Sequence, residues 1–213
     1  MLYKYPRTPH LYWSEGATND DKILKSTENF EGKRVVITEK LDGEQTNLSH
    51  ERIYARSIDS KDHPSRHWIK ANFSYMTKFI NPLHRICGEN VFAQHSIAYE
   101  NLDSYFYAFS VWRKDYCLNW NTTKNYLFKL HIKPVPILYD GIWNEKICRN
   151  LMQESTEKGL MEGYVVRLAS GFKLEDFGIS VAKFVRKDHV QTDEHWMYKP
   201  MIVNKLREYY GKN

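Results

Sequence analysis

The sequence has few cysteines and no closely spaced pair of them. Three occur in 213 residues, at Cys87, Cys117 and Cys148. Without a CxxC pair, a cysteine-type zinc site is not expected, and the odd number argues against a disulfide framework. We therefore expect reduced thiols that behave as small buried hydrophobic groups, as in a cytosolic protein.

Long apolar runs are also missing. No stretch approaches the roughly 18 apolar residues of a membrane-spanning helix. The first residues, MLYKYPRTPHLYW, have neither an apolar core nor a small-residue cleavage site, so they do not resemble a secretory signal. We expect a soluble, cytoplasmic protein without a membrane partner.

The nine histidines form no HExxH or HxH pattern. This argues against the helix-borne zinc sites of metalloproteases. We expect surface or packing roles for the histidines. A contact with RNA or phosphate remains open for His189 and His195.

The chain is mildly basic and rich in aromatic residues. Its formal charge is +5, and Phe, Trp and Tyr make up 15% of the residues. The charge is compatible with a polyanionic partner but does not establish one. The aromatic rings could thicken the core or offer flat faces to bases.

The length fits one domain. An irregular segment with two prolines opens the chain, and apolar alternation predicts Val35 and Ile37 on one face of the first strand. The pattern predicts strands at 34–41, 45–57 (two, joined by a turn), 90–99, 105–112, 134–141, 163–168 and 180–187. Helices are predicted at 65–83, at 122–131 with a Thr cap, at 144–156, and at 192–210 with a break at Pro200. Many short strands with a few helices indicate an α+β domain with antiparallel sheets.

The stretch VVITEKLDGEQTNL places Lys40 at a strand end, between Glu39 and Asp42. A lysine is nucleophilic only when neutral, and an ordinary pKa near 10.4 keeps it charged at pH 7. Burial and nearby cations lower that pKa, whereas carboxylates raise it. The stretch therefore fits either a salt-bridged strand end or a nucleophile. Gly43 would let the following loop approach a ligand closely.

Further segments follow in a fixed order. They are YARS with Arg56, GEN with Glu89, FYAFSVW with Phe109, MEGYVVRL with Glu162, and VAKFVRK with Lys183. Together with the Lys-x-Asp-Gly at Lys40, these segments resemble the motifs of the covalent nucleotidyltransferases. That superfamily comprises ATP-dependent RNA ligases, DNA ligases and mRNA capping enzymes, and the chain looks most like the RNA ligases. The PRTPHL and RKDHVQTDEHWM stretches also look like those of small viral and bacterial RNA ligases.

The resemblance implies a nucleotidyltransferase (adenylation) domain of antiparallel β-sheets flanked by helices, an ATP-grasp-like ligase fold. We expect this domain to span residues 1–190, including the irregular lead-in, with a short helical tail at 191–213. DNA ligases and capping enzymes usually carry an oligonucleotide-binding barrel after the last motif. The 26 residues beyond Lys187 are too few for one, which favours a minimal RNA ligase. We expect a monomer.

The resemblance also implies a three-step reaction. Lys40 would attack the α-phosphate of ATP, form a lysyl-AMP and release pyrophosphate. The AMP would move to an RNA 5′-phosphate, and a 3′-hydroxyl would then displace it. Glu162 would associate with Mg²⁺ or Mn²⁺, although a strand-end carboxylate in solvent is the ordinary reading of such a residue.

Further residues would bind the nucleotide. Glu89 would accept hydrogen bonds from the ribose, and Arg56 would lie near the ribose and phosphates. Phe109 would stack on the adenine, unless it is a core aromatic. Glu39 and Leu41 flank the nucleophile in the same site, and Glu39 resembles a position that helps to read the adenine edge. Because Tyr105 and Tyr107 share the predicted strand face of Phe109, a register error would select the wrong ring.

Two departures from the family pattern matter. Relatives often have Lys-x-Lys in the last motif, whereas this chain has Lys183 and Val185. Lys183 is therefore expected to contact the phosphates, and Arg186 and Lys187 remain candidates for the second cation. Ser110 stands where some relatives carry an acidic residue, which weakens the case for a second metal-linked carboxylate.

Two alternatives remain open. One is a DNA ligase or capping-type nucleotidyltransferase. The other is a non-catalytic RNA-binding module on the same fold, which would use its aromatic faces and basic balance without forming an adenylate.

Overall fold

The computed structural model describes residues 2–50, 52–158, 161–187 and 201–208. These residues form ten strands in two sheets. The strands are β1 (Arg34–Lys40), β2 (Glu44–Ser49), β3 (Arg52–Ala55), β4 (His84–Asn90), β5 (Phe106–Arg113), β6 (Tyr116–Cys117), β7 (Ile137–Ile142), β8 (Gly163–Leu168), β9 (Phe172–Lys173) and β10 (Val181–Val185).

Four α-helices and three short 3₁₀ turns connect these strands. The helices are α1 (His67–Thr77), α2 (Trp120–Lys129), α3 (Glu145–Lys158) and α4 (Phe177–Ser180). The 3₁₀ turns are Glu28–Phe30, Pro64–Arg66 and Leu174–Asp176.

Every strand pair is antiparallel. One sheet has four strands in the order β10-β8-β1-β7, and the other has six in the order β3-β2-β4-β5-β6-β9. The prediction of an α+β fold built on antiparallel sheets is confirmed.

Alternation along β1 separates two environments. Val35 and Ile37 belong to one core cluster with Tyr164 of β8. Val36 belongs to a second cluster, and Thr38 faces the space between the two sheets. This is the alternation that the sequence predicts, since successive side chains of a strand point to opposite faces.

The outer face of the six-stranded sheet is covered by α1 and α2. Ile69 of α1 and Leu127 of α2 are fully buried in one cluster with Ile86 of β4 and Phe106 of β5. The inner face of this sheet is left to meet the four-stranded sheet, and the candidate site lies between them.

The N-terminal segment is irregular, as predicted, and crosses the edge of the four-stranded sheet. The backbone N–H of Leu11 donates to the carbonyl of Lys183 at 2.8 Å, and that of Lys183 donates to Pro9 at 2.9 Å. Leu11 is fully buried. The segment therefore extends the sheet beyond β10 and closes one side of the site.

The strand predicted at 90–99 is wrong. Apart from Asn90, which ends β4, this segment is irregular, with one isolated bridge at Ala93. The strand instead occupies His84–Asn90, where alternation runs through the polar residues Arg85 and Glu89. A pattern search that requires apolar residues on one face misses such a strand, because Arg85 packs against the rings of Tyr3 and Trp112 and Glu89 faces the space between the sheets.

Two helix boundaries also differ from the predictions. Asn119, not a threonine, caps α2, since its side chain accepts a hydrogen bond from the backbone of Thr122. Helix α1 ends at Thr77, ahead of Pro82, and turns formed by Phe79 and Ile80 follow it.

Part of the predicted C-terminal helix is wrong as well. Residues 201–208 form no helix and instead make isolated bridges from Val203 to Ala93 and from Leu206 to Leu102. Residues 191–200 and 209–213 of the predicted tail lie outside the described residues, as do residues 188–190; His189 and His195 are among these. No helix among the described residues is long and apolar enough to cross a membrane.

Candidate active site

A cavity of about 380 Å³ lies between the two sheets. The four-stranded sheet contributes side chains of β1, β8 and β10, and the six-stranded sheet contributes those of β2, β4 and β5. The lining residues used below are Tyr5, Glu39, Lys40, Leu41, Arg56, Glu89, Phe109, Arg167 and Lys183. Most of the residues that the sequence singles out therefore meet in one place.

Lys40 and Glu162 form the central ion pair. The Nζ of Lys40 donates to both carboxylate oxygens of Glu162 at 2.6 Å. Lys40 ends β1 opposite Gly163, which begins β8, so the residue before Gly163 comes beside the amine. Both side chains are withdrawn from solvent, with exposed fractions of 26% for Lys40 and 6% for Glu162.

Gly163 permits the strand spacing that this pair requires. A Cβ at this position would lie 2.0 Å from the carbonyl oxygen of Phe184 on β10. Any larger residue would therefore push β10 away from β8 and move Glu162.

Opposing effects act on the pKa of Lys40. Burial is the largest and lowers the pKa, but the carboxylates of Glu162 and Glu89 together outweigh it, so the pKa is raised above its usual value. The amine is thus charged in this structure. It becomes a nucleophile only after a ligand or a metal offsets the carboxylates.

Glu89 approaches the same amine from the opposite sheet. It lies in β4, opposite Gln45 of β2. Burial raises the pKa of Glu89 to about 8, against a lowering by Lys40, and nearby carboxylates, including Glu162, add to the rise. At neutral pH this carboxyl is therefore mostly protonated in the structure without a nucleotide.

Asp42 is turned away from the lysine. Its Oδ2 accepts hydrogen bonds from the backbone of Ser96 at 2.6 Å and Ile97 at 2.9 Å. The carboxylate therefore anchors a loop instead of pairing with Lys40. The close approach predicted at Gly43 is to protein, since a Cβ there would lie 2.5 Å from the carbonyl of Asn90.

Phe109 lies at a β-bulge. Cys87 and Gly88 of β4 pair with Ser110 and Ala108 of β5, so the register skips the residue between them. The Phe109 ring lines the cavity and meets Tyr5 edge to face, with centroids 5.3 Å apart. Tyr105 and Tyr107, the alternative rings, do not line this cavity. The bulge therefore accounts for the ring that faces the site.

Arg56, Glu39 and Leu41 also line the cavity. The Nε of Arg56 donates to the carbonyl of Tyr5 at 3.2 Å, which fixes the arginine against the N-terminal segment. Glu39 and Leu41 line the cavity on either side of Lys40. Burial raises the pKa of Glu39.

Of the three basic residues near the end of β10, Lys183 lines the cavity. Burial and then the charge of Lys40 lower its pKa. The Arg186 backbone N–H donates to the Glu162 carbonyl at 3.0 Å, and its Nε and Nη2 are buried with no hydrogen-bond partner among the described residues. Arg186 and Lys187 do not line this cavity, and Lys187 is exposed.

Sequence reasoning missed Arg167. This residue is 5% exposed, and its guanidinium donates to the carbonyls of Leu168 and Leu118. It lies 5.5 Å from the ring centroids of both Trp120 and Phe172. The signal was a lone arginine in the apolar strand GYVVRL, which alternation places on the same face as Val165 of the cavity.

The donor set of the site suits a metal that arrives with a nucleotide. Among the described residues, no cluster of three or more His, Cys, Asp or Glu side chains could hold a metal ion. Magnesium commonly takes one or two protein carboxylates and completes its shell with water and substrate phosphates. Glu162 and Glu89, on either side of Lys40, can supply those carboxylates.

Comparison with known proteins identifies similarity to ligases. A family model described as RNA ligase matches residues 33–185. That range includes every site residue discussed above except Tyr5, Arg186 and Lys187. No curated protein matches the sequence.

Solved structures share the fold at low sequence identity. An archaeal ATP-dependent RNA ligase matches with a TM-score of 0.61 and 14% identity over 87% of this chain and 48% of its own. A mutant of Naegleria gruberi RNA ligase with ATP and Mn matches with a TM-score of 0.57 and 17% identity over 88% and 61%. A candidate ATP-dependent DNA ligase from Aquifex aeolicus matches with a TM-score of 0.57 and 19% identity over 87% and 50%.

The matched chains are longer than this one. The chain spans about half to three fifths of their lengths, at 48%, 61% and 50%. At these identities the structural likeness establishes the fold.

Proposed function

Because the chain belongs to the RNA ligase family, we propose that it is an ATP-dependent RNA ligase that works through a covalent lysyl-AMP at Lys40. The observation that carries the proposal is the ion pair of Glu162 with Lys40, whose side chain lines a cavity together with Glu89, Phe109 and Lys183. An isolated strand-end lysine would not be surrounded by groups suited to base, ribose and phosphate.

The proposed nucleotide position follows from the chemistry of the lining. Phe109 offers a ring face for the adenine, and Glu39 offers acceptor oxygens for its exocyclic amine. Glu89 accepts from the ribose hydroxyls. Arg56 and Lys183 provide positive charge for the phosphates. Arg186 and Lys187 remain candidates for a further phosphate contact.

The first step would form a phosphoramide. The neutral Nζ of Lys40 attacks the α-phosphorus, the N–P bond forms, and the bond to pyrophosphate breaks. Glu162, with both oxygens 2.6 Å from Nζ, is the nearest acceptor for the proton that the amine loses. A bound Mg²⁺ or Mn²⁺ would supply positive charge that stabilises the phosphates and lowers the pKa of Lys40. Glu162 would hold it.

The later steps would use the same cavity. The AMP passes to an RNA 5′-phosphate, and the phosphoramide bond to Lys40 breaks. A 3′-hydroxyl then attacks the activated phosphate, the new phosphodiester forms, and AMP leaves. AMP is the transferred group in the first two steps and the leaving group in the third, so one adenosine pocket can serve all three steps.

The test is transfer of label from ATP to protein. The wild-type protein, incubated with ATP labelled at the α-phosphate and Mg²⁺ or Mn²⁺, should give a labelled band in denaturing electrophoresis. Lys40→Ala should abolish it. Lys33→Ala is the matched control, since Lys33 is exposed just before the same strand and should keep the label.

Absence of a covalent AMP band with every divalent metal would contradict the proposal and favour the non-catalytic RNA-binding module. If the band forms, RNA and DNA ends are compared in the sealing reaction. Exclusive sealing of DNA would favour the DNA ligase alternative. One of the matched structures, from Aquifex aeolicus, is described as a DNA ligase.

A further inference from the structure

A second cavity, of about 340 Å³, lies at the other end of the six-stranded sheet. Strand β2 runs from Gln45, at the first cavity, to Ser49, at the second. Strand β4 runs the opposite way, from Arg85 at the second cavity to Glu89 at the first. Because Arg85 and Glu89 are four residues apart in one strand, they lie on the same face about 13 Å from each other.

The lining of this second cavity is basic. It contains five side chains that carry or can carry positive charge, namely His50, Arg52, His84, Arg85 and Lys114. Among the lining residues that the structure describes, none is an Asp or Glu. Ser49, Tyr3 and Tyr54 add polar groups. The first cavity differs in that its lining includes the carboxylates of Asp21, Glu39 and Glu89 beside its cations.

Arg85 forms a buried wall of the cavity. It is 4% exposed, and its guanidinium lies between the rings of Tyr3 and Trp112, 4.7 and 4.9 Å from their centroids. Its Nη1 donates to the carbonyl of Lys114 at 3.1 Å. Its Nε and Nη2 have no hydrogen-bond partner in the described part of the chain. A buried charge without a counter-ion is costly, and an anion nearby would offset that cost.

Of the surrounding groups, Arg52 and Lys114 carry positive charge, whereas His84 does not add to it at neutral pH. The pKa of His84 is lowered, first by burial and then by the charge of Arg113. Arg52 and Lys114 are exposed at the rim, where their long side chains can reach a ligand. The two unpartnered nitrogens of Arg85 are closed to solvent. Arg85 therefore acts on a bound anion through its charge, whereas the exposed side chains of Arg52 and Lys114 contact the anion directly.

We propose that this second cavity binds a backbone phosphate of the RNA strand whose end reacts at Lys40. The inference rests on the proposed ligase function. A phosphate suits the site because it is an oxyanion that lysine and arginine both bind, and RNA supplies phosphates at a regular distance from the reacting end. Arg52 and Lys114 hold the phosphate, and Arg85 stabilises its charge.

The test uses Arg52→Gln with Lys114→Gln, which remove two charges and leave the buried Arg85 in place. Lys129→Gln is the control, because Lys129 is exposed at the end of α2 and does not line this cavity. Covalent AMP formation should be unchanged in both proteins. The KM for RNA should rise about tenfold in the double variant alone, and the salt slope of RNA binding should fall by about 0.7, one single-strand phosphate contact.

A neutral methylphosphonate linkage, moved one position at a time from the reacting end, identifies the phosphate. Wild type and Lys129→Gln should lose affinity at one linkage position. The double variant should be insensitive there, because the contact is already lost. Equal sensitivity of all three proteins at every position would overturn the proposal.

A further arm separates RNA from a free anion. Inorganic phosphate is titrated into wild type and double variant by calorimetry. If it binds the wild type alone while RNA binding is equal in both, the cavity is a site for free phosphate and the RNA proposal is wrong. The linkage scan measures RNA binding without catalysis, so it still decides the inference if no covalent AMP forms and the proposed function fails.

Discussion

Three charged side chains at the centre of the first cavity depend on one another. Lys40 is paired with Glu162, and Glu89 approaches from the facing sheet. The pKa of Glu89 is raised to about 8, first by burial and then by neighbouring carboxylates, although Lys40 lowers it. The two carboxylates raise the pKa of Lys40, and Lys40 lowers the pKa of Glu89.

The raised pKa of Glu89 predicts a pH-dependent stability. The unfolded chain loses this proton near pH 4.5, whereas the folded protein keeps it until about pH 8. The folded state thus binds more protons between these values, and this residue makes the free energy of unfolding fall as pH rises through that window. We expect Glu89→Gln to remove this fall, which cannot exceed about 1.4 kcal/mol per pH unit.

Urea unfolding at pH 5 and pH 8 measures the effect. Glu31→Gln, at an exposed position, is the control and should follow the wild type at both values. The prediction would be contradicted if the difference in unfolding free energy between wild type and Glu89→Gln were the same at pH 5 and pH 8.

At the scale of elements, residues 201–208 support the loop that follows β4. The side chain of Asn204 is 3% exposed, accepts from the backbone of Tyr99 at 2.9 Å and donates to the carbonyl of Val91 at 2.8 Å. Tyr99 in turn accepts from the backbone of Asp42 at 2.8 Å. The C-terminal segment is thereby connected to the Lys-x-Asp-Gly loop.

Asn204→Ala should therefore affect both stability and the site. Loss of two buried hydrogen bonds should lower the free energy of unfolding by about 1–3 kcal/mol, and covalent AMP formation should slow at saturating ATP. Lys205→Ala is the control, because its ion pair with Glu100 is exposed to solvent and should contribute little to stability. Equal adenylylation rates in the two variants would show that the contacts of Asn204 with Val91 and Tyr99 do not affect the reactivity of Lys40.

At the scale of the whole molecule, the first cavity joins the two sheets. Lys40 and Lys183 come from the four-stranded sheet, whereas Glu89 and Phe109 come from the six-stranded sheet. A ligand that contacts both sheets binds the folded protein and not the unfolded chain. Its binding free energy therefore adds to the stability of the fold.

An ATP analogue with a methylene between the α- and β-phosphates should stabilise the protein without reacting. At about 100 times its Kd, the gain in unfolding free energy should be about 2.7 kcal/mol. For a chain of this size, that corresponds to a rise in Tm of about 5–10 °C. Scanning calorimetry at several concentrations measures it, with the matching UTP analogue as control. A Tm independent of ATP analogue concentration would exclude a nucleotide site between the sheets.

Local pattern predicted much of the secondary structure but not all of it. Strand β1 and helix α3 were readable because their apolar residues repeat with the period of the element. Strand β4 was missed because its alternating Arg85 and Glu89 are polar, and only tertiary contacts explain them. Arg85 packs against the rings of Tyr3 and Trp112, and Glu89 lines the first cavity. The segment 201–208 has a helix-compatible composition, but its backbone groups form hydrogen bonds with the loop at 91–105 and no helix forms there.

By itself, the sequence determined the order of the motif segments and predicted the candidate site residues, because the motif around Lys40 and the strands that follow it are local features. Only the tertiary structure decided that Glu162 meets that amine, since the pairing of Lys40 with Gly163 joins positions far apart in the chain. It also decided the bulge that presents Phe109, the place of Arg167 and the second basic cavity. These features depend on strand register and on the approach of two sheets, and neither is encoded in the periodicity of any single segment.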